Sequence, residues 1–195
     1  KGGLYKVYNN NLLYHGCIPL NEDGSFKSVK IYGRSYKGKA LYEVLESYVR
    51  KGFYAIDEKE RKRGKDMMWY IWLSENSPLF GKDKMATFER YFLAEKETHK
   101  EKKNPYYDFL ENDKVVDRIL KEFGLEHSFS HIINGHMPVK SKNGENPMKC
   151  GGKVFVIDGG FSRAYQKQTG IAGYTLIYNS YGMILSAHEP FESKE

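Results

Sequence analysis

His131-Ile132-Ile133-Asn134-Gly135-His136-Met137-Pro138-Val139 runs from an apolar segment through Gly and His to a proline, and so does the earlier stretch Leu12-Leu13-Tyr14-His15-Gly16-Cys17-Ile18-Pro19. Each reads as a strand ending in a tight loop that presents one imidazole, a common way to mount a metal ligand at a sheet edge. A single His-Gly pair is explained at least as well by a hydrogen-bonded structural histidine. Two such loops on either side of a helical stretch favour a divalent-metal site, which needs neutral imidazoles held by short rigid loops. They do not complete it, because two adjacent metals need about six to eight protein ligands, including a bridging carboxylate.

Working outward, residues 4–8 and 12–14 flank Asn9-Asn10-Asn11, which tolerates turn conformations, so a β-hairpin feeds the His15 loop. Residues 21–25 form a surface turn, and the sheet pauses there. From Gly38, Ala40, Leu41, Val44, Leu45, Tyr48 and Val49 recur at helical spacing. The charge run 59–65 reads as a solvated helix end or loop, and 67–73 as a buried apolar helix packed on the one before it. Pro78 and Gly81 break that helix. A further helix is expected from Met85 to about Lys103, and another over Val115, Val116, Ile119, Leu120 and Phe123, ended by Gly124. Strands return at Val154-Phe155-Val156-Ile157 and in a hairpin of 174–178 with 183–187. The expected division is a first part of a β core at 1–37, a helical insertion at 38–125, and the second part of the β core at 126–195.

Within the insertion, Lys82, Lys84, Arg90, Lys100, Lys103 and Tyr106 have the chemistry of a phosphate or sugar-phosphate clamp, with cations to neutralise the anion and a phenol to hydrogen-bond its oxygens. An ordinary charged helix surface is the competing reading for each of them. Asp158, which follows an apolar strand and precedes Gly159-Gly160, is a candidate to orient His136, with Asn134 beside it, and Arg163 is a candidate phosphate ligand. A turn-capping Asp and a surface Arg fit those two positions equally well. His99, His127, His131 and His188 are read as structural, and Cys17 and Cys150 as buried reduced thiols.

The order of these segments carries a resemblance. Leu-Leu-Tyr-His15-Gly-Cys-Ile-Pro19 resembles the third, His-containing motif of calcineurin-like metallophosphoesterases, and Ile-Asn-Gly135-His136-Met-Pro-Val resembles their later Gly-His motif. Lys-Val-Phe-Val-Ile-Asp158-Gly-Gly-Phe-Ser-Arg-Ala-Tyr and Thr-Gly-Ile-Ala-Gly-Tyr-Thr-Leu look like the segment that follows. Together with Ser-Pro-Leu-Phe-Gly-Lys-Asp-Lys-Met and Lys-Asn-Pro-Tyr-Tyr, the similarity narrows to the bacterial class III fructose-1,6-bisphosphatases and extends along essentially the whole chain. It implies an α/β fold, part of a four-layer αββα core with a largely helical insertion. It also implies hydrolysis of fructose 1,6-bisphosphate in gluconeogenesis by a hydroxide bridging two divalent metals, commonly manganese, with His15 and His136 as metal ligands. The Asp-x-His, Gly-Asp-x-x-Asp-Arg and Gly-Asn-His-Asp/Glu motifs of the family do not occur here. In the family they precede the His15 motif and supply the other ligands and the catalytic acid. The chain is therefore read as a carboxy-terminal portion, unable by itself to hold both metals and inactive alone.

The bulk properties are compatible with this. The chain has 195 residues, enough for one substantial core with an inserted subdomain. Its net charge of +6 fits an anionic partner. A small-molecule sugar bisphosphate is expected, with no nucleic acid and no membrane, since no apolar run approaches the roughly 18 residues of a membrane span. Two cysteines without a CxxC pattern fit a reducing cytoplasm. Alternatives that stay open are a related phosphoesterase acting on dinucleotide polyphosphates or phosphoproteins, and a non-catalytic module that keeps a sugar-phosphate surface.

Overall fold

The computed structural model describes residues 2–160, 166, 167, 169–171 and 173–189, and it is mixed α/β. The chain opens with the expected hairpin of β1 (Tyr5–Tyr8) and β2 (Asn11–Tyr14). Asn9 and Asn10 form its turn at φ of 46° and 58°. Asparagine is among the few residues that accept positive φ at both centres of such a turn.

A second hairpin, β3 (Val29–Ile31) and β4 (Arg34–Tyr36), lies where the sequence reading saw a pause in the sheet. Its signals are short: Val29 and Ile31 alternate with exposed Lys30, and the turn is Tyr32-Gly33, both at positive φ. Three-residue strands offer too few positions for alternation to stand out.

Two helices follow, α1 (Gly38–Tyr54) and α2 (Glu58–Leu73). The charge run at 59–65 is part of α2, whose first turn is capped by Asp57 accepting from Glu60 N–H at 2.9 Å. Residues 67–73 are not uniformly buried as expected. Met67 and Ile71 face α1, while Met68, Trp69, Trp72 and Leu73 are exposed. Leu41, Leu45, Met67, Ile71, Val29 and Ile31 form one core under this helical hairpin.

The helix expected from Met85 to about Lys103 does not form. There is only a six-residue α3 (Thr87–Phe92) with no buried residue, then a 3₁₀ turn at Lys96–His99. Residues beyond it run extended and pair with the Gly81-Lys82-Asp83 segment: Lys82 bridges Lys103, Asp83 N–H donates to Lys102 O at 2.9 Å, and Asn104 N–H to Gly81 O at 2.9 Å. A stretch without an apolar stripe has nothing to bury as a helix, and its backbone finds partners across the loop instead.

The helix α4 (Asp113–Glu122) is capped by the Asn112 side chain. As expected, it ends at Gly124, which takes φ 80° while Leu125 N–H reaches back to Leu120 O. Beyond it, β5 (His131–Asn134) pairs parallel with β2, in the register Asn11↔His131 and Leu13↔Ile133. The remaining strands are β6 (Met148–Lys149), β7 (Val154–Val156) and the hairpin β8 (Tyr174–Asn179) with β9 (Gly182–Ala187). The main sheet runs β1-β2-β5-β7-β6, so pieces of sequence on both sides of the helical stretch form one sheet.

Leu12, Tyr14, Ile132, Val154 and Val156 of that sheet share a core with Val115, Val116, Ile119 and Leu120 of α4 and with Tyr42 of α1. The cores therefore cut across the sequence segments: α4 and Tyr106 belong to the core of the main sheet, and Val29 and Ile31 to that of the helical hairpin. Among the described residues, no helix is long and apolar enough to cross a membrane.

The crossing of α1 and α2 depends on two glycines. An ideal Cβ on Gly64 would stand 2.1 Å from the Gly52 nitrogen and 2.5 Å from the Tyr48 carbonyl oxygen. These are backbone atoms that cannot yield without the helices parting. Gly64→Ala is therefore expected to destabilise the protein by about 1–3 kcal/mol, despite the better helix propensity of Ala. Urea unfolding of the two proteins side by side measures this, and an unchanged or higher midpoint would refute the close crossing.

Candidate active site

Because β2 and β5 are parallel and in register, their carboxyl ends lie side by side, and the residue after β2 and the loop after β5 meet. Gly135 N–H donates to His15 O at 2.9 Å and locks the two loops together. His136 sits at φ 67°, a left-handed conformation uncommon for a residue other than glycine. The outcome is a pair of imidazoles with ring centroids 4.8 Å apart and His15 Nε2 at 3.0 Å from His136 Nδ1.

The proton arrangement follows from the partners. His136 Nε2 lies 2.8 Å from the Phe80 carbonyl oxygen, which can only accept, so Nε2 carries the proton. In the neutral ring Nδ1 is then the lone-pair nitrogen, and His15 Nε2–H donates to it. Burial holds the His136 imidazole below the usual histidine range, against the opposing effect of the Phe80 hydrogen bond, and the charges of His15 and Lys82 act in the same direction as burial. A neutral imidazole with one nitrogen tied to a carbonyl keeps its lone pair on the other, and that lone pair, here taken by the His15 N–H, is what a divalent metal would bind in its place.

The donor type fits a metal; the number does not. Among the described residues no group of three or more His, Cys, Asp or Glu is placed to hold one. Asp158, just beyond β7 at the same sheet end, turns Oδ1 to the Gly160 N–H at 2.8 Å and caps its own loop. Its Cβ sits where a Cβ on Gly135 would approach to 3.3 Å, and its charge reaches His136.

Asn134 acts on the other side of the loops. Its Nδ2 donates to Gly16 O at 3.0 Å and to the Tyr106 hydroxyl at 2.9 Å, and that hydroxyl lies 2.6 Å from the Tyr14 hydroxyl. Tyr106 is 1% exposed, so the expectation that it contacts substrate is corrected: it is a core residue that braces the histidine loops from beneath. Burial pushes the Tyr106 and Tyr14 phenols upward, and both stay protonated.

The basic residues proposed as one clamp are spread out. Lys82 lines, with His15, His136 and Phe80, a cleft of about 440 Å³ whose other walls are apolar, including Trp72 and Met85. Lys84 is turned away to the Thr98 carbonyl at 2.7 Å. Lys100 pairs with Glu97 on the exposed surface, and Arg90 approaches Glu101 and the His99 carbonyl. Lys103 lies over the Tyr107 ring, beside a separate depression of about 220 Å³ that it shares with Lys82, Lys27 and Lys102. Arg90, Lys100 and Lys103, expected on one long helix, lie instead on the short α3, after the 3₁₀ turn and in the extended segment that follows it. Arg163 lies outside the described residues.

Of the histidines read as structural, His131 Nδ1 bonds the Gly152 carbonyl, His99 lies between the Glu89 and Leu93 carbonyls, His188 meets Thr175 and His127 stacks on Phe129. Both cysteines are buried, and burial pushes the Cys17 thiol up to about 12 and that of Cys150 to about 11. The sequence reading missed Phe80, whose carbonyl fixes His136, and Glu101, which pairs with Lys82 at 2.8 Å. A backbone carbonyl has no side-chain signature, and Glu101 is one of several charges in an alternating Lys/Glu stretch.

The model of the Firmicute fructose-1,6-bisphosphatase family matches residues 1–195. The chain belongs to this family. Curated relatives named fructose-1,6-bisphosphatase class 3 are 62% identical over 196 residues in Clostridioides difficile, 60% over 194 in Clostridium novyi and 58% over 194 in Clostridium beijerinckii. These alignments take in 99–100% of this chain but 29–30% of each relative, so the chain spans about 30% of the length of the bisphosphatases it matches. No solved structure matches it.

The tyrosine–asparagine brace offers a direct test. Tyr106→Phe removes the hydroxyl shared by Tyr14 and Asn134 and leaves an Asn134 N–H buried without an acceptor, which costs about 1–3 kcal/mol. Chemical denaturation of this single variant reads the loss. A change below about 0.5 kcal/mol would show that the network does not hold the loops.

Proposed function

We propose that the polypeptide carrying this chain hydrolyses fructose 1,6-bisphosphate to fructose 6-phosphate and phosphate, and that this chain contributes one side of its two-metal site. The observation that carries the reading is the His15–His136 pair at adjacent carboxyl ends of parallel strands, with His136 Nδ1 made the lone-pair nitrogen by the Phe80 carbonyl, in a chain of this family. Adjacent carboxyl ends of parallel strands are where ligands collect in α/β sheets.

In this reading His15 and His136 hold metal through imidazole nitrogens, manganese being the ion expected. The metals, when bound, lower the pKa of a water and stabilise charge on the transferring phosphoryl group. The further carboxylates, the amide ligand and the general acid come from sequence outside the described residues. Lys82 places its ammonium at the rim of the cleft and attracts a phosphate of the substrate, and the apolar walls limit water around the bound sugar phosphate. Asn134 and Tyr106 contact no substrate and keep the two loops at fixed separation. The main sheet forms one sheet of a four-layer αββα core. The setting is carbohydrate synthesis in the cytoplasm.

The test compares this chain with a polypeptide of the relatives' full length, assaying phosphate release from fructose 1,6-bisphosphate with added manganese. Turnover is expected of the longer polypeptide and none of the 195 residues alone. In the longer polypeptide, Lys82→Ala is expected to raise KM about tenfold while changing kcat less than about threefold, the pattern of a lost ground-state contact. Metal-dependent turnover by the short chain would overturn the shared-site reading, and an unchanged KM would remove Lys82 from it. Preference for a dinucleotide polyphosphate or a phosphoprotein would replace the substrate class.

A further inference from the structure

Lys82 and Glu101 form an ion pair at 2.8 Å, and both side chains are only 20% exposed. Glu101 is held independently of that contact. Its Oε1 accepts the Ala86 N–H at 2.9 Å, and Arg90 Nη2 stands 3.6 Å from the same oxygen. Its backbone is next to the short paired segment in which Lys82 bridges Lys103 and Asp83 N–H meets Lys102 O. The carboxylate is thus fixed before the lysine reaches it.

Lys82, in contrast, is a four-carbon stem with no other carboxylate partner among the described residues. Its ammonium lies 5.6 Å from the centre of the Phe80 ring, the residue whose carbonyl holds His136, and the Lys82 side chain is part of the lining of the cleft that both histidines line. An ammonium has three N–H donors. Glu101 accepts one of them, leaving two for an incoming oxyanion. Although burial works against it, the Lys82 and Ala86 hydrogen bonds and the Lys82 and Arg90 charges hold the Glu101 carboxyl below the usual range.

We infer that Glu101 is a positioning residue: its fixed carboxylate holds the Lys82 ammonium at the rim of the histidine cleft, ready to take the oxygens of a phosphate without being drawn into solvent. The inference rests on the reading of that cleft as the phosphate site. It separates Lys82 from the other lysines of the charged stretch, since Lys84 is tied to a carbonyl and Lys100 is held at the surface.

Glu101→Gln tests it. Gln keeps an oxygen for the Ala86 N–H and so preserves the loop, but it removes the charge and turns an N–H group toward the ammonium. The readouts, on the manganese-loaded polypeptide of family length, are the dissociation constant of inorganic phosphate by calorimetry and the KM and kcat for fructose 1,6-bisphosphate. Each is measured in the wild type, Glu101→Gln, Lys82→Met and the double variant. Glu101→Gln is expected to weaken phosphate binding and raise KM about fivefold, with kcat changed less than twofold, and to have no further effect once Lys82 is Met. A residue that merely holds the loop would weaken binding equally in both backgrounds. That result, an unchanged phosphate affinity in Glu101→Gln, or no phosphate binding by the wild type would each overturn the assignment. If phosphate binding follows the expected pattern while fructose 1,6-bisphosphate is not hydrolysed, the substrate reading fails and the role of Glu101 stands.

Discussion

The structure depends on the parallel pairing of β2 with β5, strands that lie far apart in the chain. Three residue pairs, Asn11↔His131, Leu12↔Ile132 and Leu13↔Ile133, set the register. A slip of one residue would turn Leu12, Ile132 and Asn134 away from α4 and would also separate the two histidine loops. The burial that fixes the register and the geometry that brings His15 to His136 therefore have one cause. Asn134 reinforces it, since its amide joins β5 to the Gly16 carbonyl just past β2 and to Tyr106 in the core.

A second constraint acts from the side. The helical hairpin and the loop after it supply one wall of the cleft and the Phe80 carbonyl that sets the proton on His136. This loop is anchored in part by buried Phe80 and Ala86 and by Leu79 against the helical-hairpin core. It is also held by polar contacts: Cys17 N–H to Pro78 O, Asn104 N–H to Gly81 O, and Glu101 to both Ala86 and Lys82. Its place relative to the histidines thus rests on hydrogen bonds as well as packing, and such bonds depend on individual partners.

Much of this was legible in the residues. The Asn9-Asn10 turn, the stripes of α1 and α4, the stop at Gly124 and the β8–β9 hairpin follow from local pattern and turn chemistry, and the matching His-Gly loops from their shared design. Several of the differences share one physical origin. Charged stretches carry no periodic signal, so the basic half of α2 reads equally as a helix end or a loop, and the Lys/Glu segment before Asn104 reads as helix although it pairs across a loop. For the same reason Lys82 could not be told from Lys84 or Lys100, because a lysine's partner is set in three dimensions. Tyr106 reads as a substrate contact in the sequence because a phenol serves a core hydrogen bond as readily as a ligand.

The bonding around Asn134 also bears on how the protein ages. An Asn followed by Gly is prone to succinimide formation, in which the backbone nitrogen of the glycine attacks the asparagine side-chain carbonyl and ammonia is lost. Here the Gly135 N–H is engaged by His15 O, and both Asn134 amide hydrogens are held in the core. The reacting groups cannot turn toward each other while the loop is closed. The contacts that join the two histidines thus also guard the peptide between them against deamidation, and that protection lasts only as long as the fold.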